Sequence, residues 1–404
     1  MYCTMSSKGD INTQISLFLT QLKRRQISGA KEVALATANL LIRFISSRRW
    51  VSTTAMIEQI RILGAKLVDA QPYELTCGNV IKRVLKNIRT INEAFAPKGN
   101  KDTDLEEDLN PSSSMLGLLS VSDSMNTSGD GDSSNNSSMA NLTKHKSNEA
   151  EPGLTPSGYY VSEEVRAKAR DLRNAVIDEI QSLIDEIQND DPLFKAGIDM
   201  ITDSDLLLTP CPSSKTMVDF LLKAAAKRNF TVIVTESYPN NVEKAKKMVQ
   251  QLKNAGVKST LIPDAAVFAV MAKVSKVVIS ARAVLANGGC IASSGVAMAC
   301  HAAKQFTKPV LSIAGSYKLS PIYPFDVESL IEVGNSSKVI DFSDAELMDK
   351  LEVINPLYDY ISPELIDIVI SSDGGASPNF VYRLILDNYS EHDQHLSSVE
   401  IGAA

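Results

Sequence analysis

Residues 276–304 read KVVISARAVLANGGCIASSGVAMACHAAK, and this stretch decides the fold. Residues 277–279 form a short apolar run of the kind found in buried strands. The Asn-Gly-Gly sequence at 287–289 predicts a turn, because glycine adopts a positive φ angle at no steric cost. Residues 293–295 are small, and the helix-forming segment 296–304 follows them. A strand, a turn and a helix in this order are how α/β proteins build a site at the end of a strand.

Short apolar runs and helical segments alternate over residues 201–404 in the same way. Such strands separated by helices predict a mainly parallel sheet that is covered on both faces. The fold class is therefore α/β, with a Rossmann-like domain at 201–404. The predicted strands are Leu206–Thr209, Val232–Thr235, Ser259–Ile262, Val277–Ser280, Val310–Ile313 and Ile366–Ile370.

Helix starts in this half are marked by local signals. A helix is predicted at Asn240–Asn254, after Pro239. Asp264 is predicted to cap the next helix. Ser343 and Glu346 have the spacing of a capping box, which predicts a further short helix.

Residues 1–96 predict an N-terminal all-α helical domain, since apolar residues recur there every three or four positions. Four helices are predicted, at about 11–22, 31–47, 53–68 and 79–95, with Ser52 as the N-cap of the third. A long amphipathic helix in residues 158–200 completes this domain and links it to the next. Its narrow apolar stripe fits packing on the first helices and also a coiled coil with another chain.

Between these helices, residues 97–157 are acidic and rich in Ser and Asn, and they predict a disordered insertion. Charge is distributed unevenly along the chain. Residues 1–96 carry 14 Lys and Arg against 6 Asp and Glu, residues 97–157 carry 4 against 10, and residues 158–404 carry 23 against 32. This asymmetry indicates segments with different partners.

Basic residues of the helical domain are predicted on its outward faces. A solvated surface explains any one of them, and a docking surface for an acidic partner explains the group. We find no aromatic interleaving, RNA-binding motif or helix-turn-helix pattern, so a protein partner is favoured over nucleic acid. The residues just after the first two helices are Lys23, Arg24, Arg25, Arg48 and Arg49, and those on the fourth helix are Lys82, Arg83, Lys86 and Arg89.

The composition predicts a soluble protein of the cytosol. The five cysteines include no C-x-x-C pair, which indicates a reducing compartment with no disulfide framework and no metal site. The first residues lack the apolar core of a signal peptide, and no run of 18 apolar residues suggests a membrane span.

The usual phosphate-binding fingerprints are absent, since there is no G-x-G-x-x-G after the first strand and no P-loop. Cys211, Ser213 and Ser214 follow that strand at a predicted helix start. The serines could hold an anion there, although an N-cap is the simpler interpretation. Cys211 could be a reactive thiol, although a buried, inert one is simpler. No Ser/His/Asp or metal constellation can be assembled, and no cofactor is predicted.

Several stretches together resemble one known family. It joins the alpha, beta and delta subunits of eukaryotic translation initiation factor 2B with sugar-phosphate isomerases. The matching stretches are LLLTPC (206–211), ANGGCIASSG (286–295), KPVLSIAGSYKLSP (308–321) and NPLYDYISPELIDIVIS (355–371). Residues 315–334 and 374–389 are most similar to the beta subunits.

The resemblance implies where catalysis would lie. In the isomerases a cysteine after the first strand and an aspartate before the Asn-Gly turn carry the acid–base work. Cys211 matches the first position, but Arg282 stands at the second, and arginine cannot act as a carboxylate does. The glycine-bearing turn after the cysteine is replaced by residues 212–214. The resemblance therefore implies a lost activity and a relic ligand pocket or subunit interface, with residues Ser213, Ser214, Asn287, Gly288 and Gly289.

For function, the resemblance implies a noncatalytic regulatory subunit of the guanine-nucleotide exchange factor for translation initiation factor 2. Its partners would be the paralogous alpha and delta subunits, the gamma and epsilon catalytic subunits, and the alpha subunit of initiation factor 2, whose phosphorylation it would sense. The alternative is an isomerase that uses Cys211 on methylthioribose-1-phosphate or ribose-1,5-bisphosphate.

Overall fold

The computed structural model describes residues 11–48, 50, 52–95, 163–341, 343, 351–393 and 396. The predicted disordered insertion and the predicted capping box of Ser343 and Glu346 lie outside the described residues, except for Ser343 itself. The described chain consists of a helical N-terminal region and a mainly parallel sheet with helices on both faces, as the sequence predicts.

Four helices form the N-terminal region: α1 (Ile11–Lys23), α2 (Ala30–Ser47), α3 (Thr53–Ala70) and α4 (Leu75–Phe95). Ser52 is the N-cap of α3, as predicted, and its Oγ accepts a hydrogen bond from the amide of Ala55 at 3.2 Å. The apolar faces of the four helices meet in one buried cluster that includes Leu41, Ile60 and Leu85. Periodicity alone located these helices because each of them buries one continuous stripe.

The long helix predicted in residues 158–200 is two helices, α5 (Glu163–Gln188) and α6 (Asp191–Asp199). Pro192 lies in the first turn of α6, where its missing amide costs nothing, whereas inside a continuous helix it would remove a hydrogen bond. Val176, Ile180 and Ile187 of α5 join the cluster of the first four helices. The stripe thus packs within the chain. Residues of α6 pack on the sheet instead.

The main sheet has seven strands in the order β10-β9-β7-β4-β1-β2-β3, all parallel except β10, which is antiparallel to β9. Alternate side chains along each strand enter two cores, so that Leu207 lies with α7 and α8 and Leu208 with α9, α10 and α11. The strands are β1 (Leu206–Thr209), β2 (Thr231–Thr235), β3 (Lys258–Ile262), β4 (Lys276–Ser280), β7 (Val310–Ile313), β9 (Ile368–Ser371) and β10 (Gly374–Ala376). The helices are α7 (Lys215–Ala225), α8 (Val242–Asn254), α9 (Val267–Met271), α10 (Val296–Gln305) and α11 (Val381–Asn388).

A second, three-stranded antiparallel sheet was not predicted. It has the order β5-β6-β8, with β5 (Ala283–Val284), β6 (Cys290–Ser293) and β8 (Tyr358–Ile361). The predicted strand–turn–helix is therefore a strand, a hairpin and a helix. Such short strands carry too little periodicity to be seen in a sequence.

Two further predictions were wrong in detail. The last parallel strand was predicted at Ile366–Ile370 but begins at Ile368, because residues 363–365 form a 3-10 turn. Asp264 does not cap the helix after it. Its carboxylate accepts hydrogen bonds from the amides of Ser237, at 3.1 Å, and Tyr238, at 2.9 Å. It thus fixes the loop after β2 rather than starting a helix.

Candidate functional site

The sequence-predicted site lies at the centre of the main sheet. The strand order continues from β1 to β2 on one side and to β4 on the other, so the chain changes direction between β1 and β4. Ligands of open α/β sheets bind at such a switch point, beside the carboxyl ends of the strands. The loop after β1 carries Cys211 and the loop after β4 carries Arg282, so the fold brings both predicted catalytic positions to this point.

Cys211 is buried there. Its Sγ accepts a hydrogen bond from the amide of Ser280 at 3.4 Å and lies 3.8 Å from the Ser280 carbonyl oxygen. Burial raises the pKa of the Cys211 thiol to about 12. A thiolate, the nucleophilic form, is therefore disfavoured at neutral pH. These surroundings match the simpler interpretation of Cys211 as an inert core residue.

The two serines after Cys211 connect three loops. Ser214 is the N-cap of α7, where its Oγ accepts a hydrogen bond from the Met217 amide at 3.3 Å. The same hydroxyl donates to the Oγ of Ser280 at 2.8 Å. The hydroxyl of Ser213 is 3.1 Å from that of Ser293, at the end of β6. Ser214 thus serves the helix start itself, as the simpler interpretation expects.

The Asn-Gly-Gly turn lies at the opposite end of β6. Asn287 donates from Nδ2 to the hydroxyl of Tyr360 at 2.7 Å and accepts from the Gly289 amide at 2.9 Å. Gly288 has φ +83°, and a Cβ there would lie 2.2 Å from the carbonyl oxygen of Pro378. Because the four residues of β6 span about 13 Å, the turn and the two serines form two clusters rather than one pocket.

Arg282 is bound by a residue of the helical domain. Its NH2 donates to Oε2 of Glu74 at 2.7 Å, and its NH1 contacts the hydroxyl of Tyr358. The guanidinium carbon lies 4.1 Å from the centroid of the Tyr358 ring, a cation–π distance. Glu74 is buried and also accepts from the hydroxyl of Thr76 at 2.6 Å. Burial lowers the pKa of Arg282, and the charge of Glu74 opposes that shift.

Sequence reasoning missed Glu74 and Tyr358. Glu74 precedes α4 and lies 208 positions from Arg282 in the chain, and no local pattern links the two. One general signal was available. An arginine next to a buried strand needs a carboxylate partner, because an unpaired buried charge is costly.

Asp359 of β8 was missed as well. Its Oδ2 accepts hydrogen bonds from the amides of Gly295, at 2.7 Å, and Ala297, at 3.2 Å. These are the free amides at the start of α10, where the positive end of the helix dipole favours a carboxylate. Burial raises the pKa of Asp359, and these hydrogen bonds oppose the rise. The start of α10 is thus occupied by the protein's own aspartate.

Lys318 is a second buried cation at this edge of the sheet. It follows β7, and its amine lies 5.9 Å from the ring of Tyr317. Burial lowers its pKa to about 8, whereas Asp190 and Glu74 act in the opposite direction. The site therefore holds two buried cations, with a carboxylate from the helical domain close to both of them.

The four predicted docking residues that the structure describes lie in two separate groups. Lys23 and Arg24 are exposed near the end of α1, and Arg25 forms an ion pair with the buried Glu332. Arg48 follows α2, with its guanidinium carbon 4.5 Å from the ring of Phe44, and Arg49 lies outside the described residues. Since α2 has 18 residues, about 27 Å of helix separates the two groups.

The outward direction predicted for the basic residues of α4 was wrong. Lys82 is buried. Arg83 pairs with Glu186 at 2.6 Å, and Arg89 pairs with Asp393 at 2.9 Å. Lys86 donates to the last carbonyls of α11, those of Leu386 and Asp387. These side chains face inward because α4 packs between the other helices and the C-terminal part of the chain, which supply carboxylates and the negative end of a helix.

Exposed apolar side chains mark another surface. Phe325 is 90% exposed and Tyr323 is 52% exposed, with their ring centroids 4.9 Å apart. Val333 and Ile354, in the loops before β8, and Tyr238, after β2, are each about 60% exposed. We call these five residues the apolar loop surface. The contact between the exposed rings of Tyr323 and Phe325 makes them a small apolar patch, of the kind that occurs at interaction surfaces.

Two surface grooves lie away from these residues. One of ≈ 520 Å³ separates α9 from α10 and is lined by Phe268, Met298 and His301. The other, of ≈ 390 Å³, lies beside the turn between α5 and α6. Neither is lined by Cys211 or Arg282.

The described part of the chain contains neither a candidate metal site nor a candidate membrane helix. No group of three His, Cys, Asp or Glu side chains there could hold a metal ion. Among the same residues, no helix has the length and apolar character needed to cross a membrane.

Comparisons with known proteins match nearly the whole chain. Residues 26–378 match the family described as "Initiation factor 2 subunit family". Translation initiation factor eIF2B subunit beta of Schizosaccharomyces pombe is 34% identical over 395 residues, covering 94% of this chain and 96% of that protein.

Solved structures agree with the sequence match. The crystal structure of eIF2B beta from Chaetomium thermophilum superposes with a TM-score of 0.67 at 28% identity, covering 95% of this chain and 94% of that one. The chain in the tetrameric eIF2B-beta2-delta2 complex from C. thermophilum gives a TM-score of 0.64 at 25% identity, covering 94% and 96%.

Proposed function

The chain belongs to the initiation factor 2 subunit family, and we propose that it is a noncatalytic regulatory subunit of eIF2B, the guanine-nucleotide exchange factor for translation initiation factor 2. The observation that carries the proposal is the extent of the match. Sequence and fold resemble beta subunits over more than nine-tenths of both chains. A regulatory subunit acts by assembly, so we expect it in the cytosol with its complex.

The site geometry supports the noncatalytic part of the proposal. An isomerase must move a proton between two sugar carbons, which needs an accessible acid and base. Here the thiol of Cys211 is 1% exposed, and Arg282, in the place of the acid, is paired with Glu74. Neither group is free to exchange a proton with a substrate.

For assembly, we propose a delta-like paralogue as the direct partner, bound through the apolar loop surface. A related chain was solved in a beta2-delta2 tetramer, which supports a partner of that kind. The exposed rings of Tyr323 and Phe325 would bury their area in such an interface, and buried aromatic residues often dominate binding energy. The alpha, gamma and epsilon subunits would join this pair in the complete factor.

For regulation, we propose that the helical domain docks the alpha subunit of initiation factor 2 and senses its phosphorylation. Among the predicted contacts, Lys23 and Arg24 are exposed, and Arg25 is half exposed although it pairs with Glu332. Arg25 and Arg48 have partners within the chain.

Co-purification tests the proposal. A tagged copy expressed in its native cells should recover a delta-like paralogue in equal amounts. Phe325→Asp should reduce that recovery about tenfold or more, because an interface aromatic contributes about 2 kcal/mol or more. Tyr73→Asp is the matched control, an exposed aromatic in the turn before α4. Recovery of the wild-type chain as a lone, stable monomer would contradict the proposal.

Enzyme assays test the noncatalytic part separately. The purified chain should not convert methylthioribose-1-phosphate or ribose-1,5-bisphosphate. Turnover that Cys211→Ser abolishes would instead support the isomerase hypothesis.

A further inference from the structure

The carboxyl edge of the main sheet holds polar groups that lack partners. Nε of Arg282 and the hydroxyls of Thr209 and Ser320 are buried without a hydrogen-bond partner among the described residues. Lys318 is buried beside them, after β7. A buried hydroxyl is costly without a hydrogen-bond partner, and a buried cation such as Arg282 or Lys318 is costly without an anion. This edge of the sheet therefore favours a negatively charged partner.

The compensating charge comes from the helical domain. Glu74 ends the turn before α4, and its carboxylate reaches across to Arg282 at 2.7 Å. Its other oxygen is held by Thr76. The Glu74 side chain is only 3% exposed, so this ion pair is shielded from solvent. Shielded pairs are screened far less by salt than surface pairs are.

A second ion pair joins the same two domains, with the positions of cation and carboxylate exchanged. Here the helical domain supplies the cation, Arg25, and the sheet domain supplies the carboxylate, Glu332, which is 2% exposed. Arg25 also lies close enough to Arg282 for its charge to lower the pKa of Arg282. Without Glu74, Arg282 would therefore lie near a second cation, Arg25, with no carboxylate of its own.

We propose that Glu74 is an internal ligand: its carboxylate occupies, on Arg282, the place of a small anion, and it thereby fixes the helical domain on the sheet domain. A vacant Glu74 position would be a binding site for a small carboxylate. The inference goes beyond the regulatory function and does not rest on it. The experiment uses the isolated full-length chain, so its failure would leave the assembly proposal standing.

Chemical rescue of Glu74→Ala tests the proposal. Alanine keeps Cβ, so the missing part of the side chain corresponds to acetate. Glu74→Ala should lower the thermal midpoint by about 6 °C, because it strands a buried cation. Acetate should restore at least half of this loss by binding the folded state. Acetamide, which has the same shape without the charge, and chloride at the same ionic strength should not restore it.

Two variants make the result specific. Glu74→Gln fills the same space, so its midpoint should not respond to acetate. In Glu74→Ala/Arg282→Met the stranded cation is gone, and this variant should be more stable than Glu74→Ala and indifferent to acetate. Equal effects of acetate and acetamide on Glu74→Ala would overturn the proposal.

If Glu74→Ala does not fold, a double-mutant cycle of Glu74→Gln with Arg282→Met replaces it. The two changes should then be coupled by about tenfold or more in the unfolding equilibrium. Additive effects of the two substitutions would overturn the proposal in that case.

Discussion

Two groups of basic residues in the helical domain look alike in the sequence and differ in the structure. At the end of α1, Lys23 and Arg24 are exposed. On α4, Lys82, Arg83, Lys86 and Arg89 are buried or bound to carboxylates and helix carbonyls. Both groups belong to residues 1–96, the segment with a net positive charge. The difference teaches that the charge count of a helix says little until the elements packed on it are known.

The largest effect that the comparison predicts is at Arg89. This residue makes two hydrogen bonds, of 2.9 and 3.0 Å, to Asp393, which is fully buried. Arg89→Met should lower the free energy of unfolding by about 3 kcal/mol, because the buried carboxylate of Asp393 loses its ion pair with Arg89 and both hydrogen bonds. Urea unfolding of the full chain measures it. Arg24→Met is the matched control and should change stability by no more than about 0.5 kcal/mol. Similar losses of stability in both variants would contradict the difference between the basic residues of α4 and those at the end of α1.

A smaller, pH-dependent effect is expected at Lys82. Burial lowers the pKa of Lys82 to about 8, and the charge of Asp393 opposes this. Between pH 8 and about 10.4, the ordinary value, the unfolded chain therefore binds a proton that the folded chain has released. Stability from this group rises with pH through that window, and the cost of burying the charged amine is greatest below pH 8.

Lys82→Met should therefore be more stable than the wild type below pH 8, by about 2 kcal/mol or less. The gain should shrink as pH rises from 8 to 10. Unfolding of both proteins across this range measures it, and their difference removes the opposite contribution of buried thiols such as Cys211. A constant gain at every pH would show that the Lys82 charge is not what matters.

The smallest stability effect and a clear binding effect are expected at the end of α1. The Lys23→Glu/Arg24→Glu variant should unfold within about 0.5 kcal/mol of the wild type, since both side chains are exposed. Its affinity for the alpha subunit of initiation factor 2 should fall about tenfold at low salt and less at high salt. Arg43→Glu, at an exposed position of α2, is the control. Equal loss in both variants would argue against a specific surface at α1.

Local patterns predicted the elements well where each buries one continuous face. Helices α1 to α4 and the first five parallel strands follow periodicity and apolar runs, which depend only on neighbouring residues. The same reasoning failed at Pro192, because it predicted one helix where the structure has two, α5 and α6. It also missed β5, β6 and β8, because those strands are short and pair with distant segments.

The sequence by itself determined the fold class and the placement of Cys211 and Arg282 at strand ends. It also showed an arginine, Arg282, where the related isomerases carry an aspartate. Only the tertiary structure decided what Arg282 does. Its partner, Glu74, lies 208 positions away and reaches it because α4 packs against the sheet domain. The physical reason is range: backbone propensity and periodicity act over a few residues, whereas a buried charge is compensated by whichever segment the fold brings beside it.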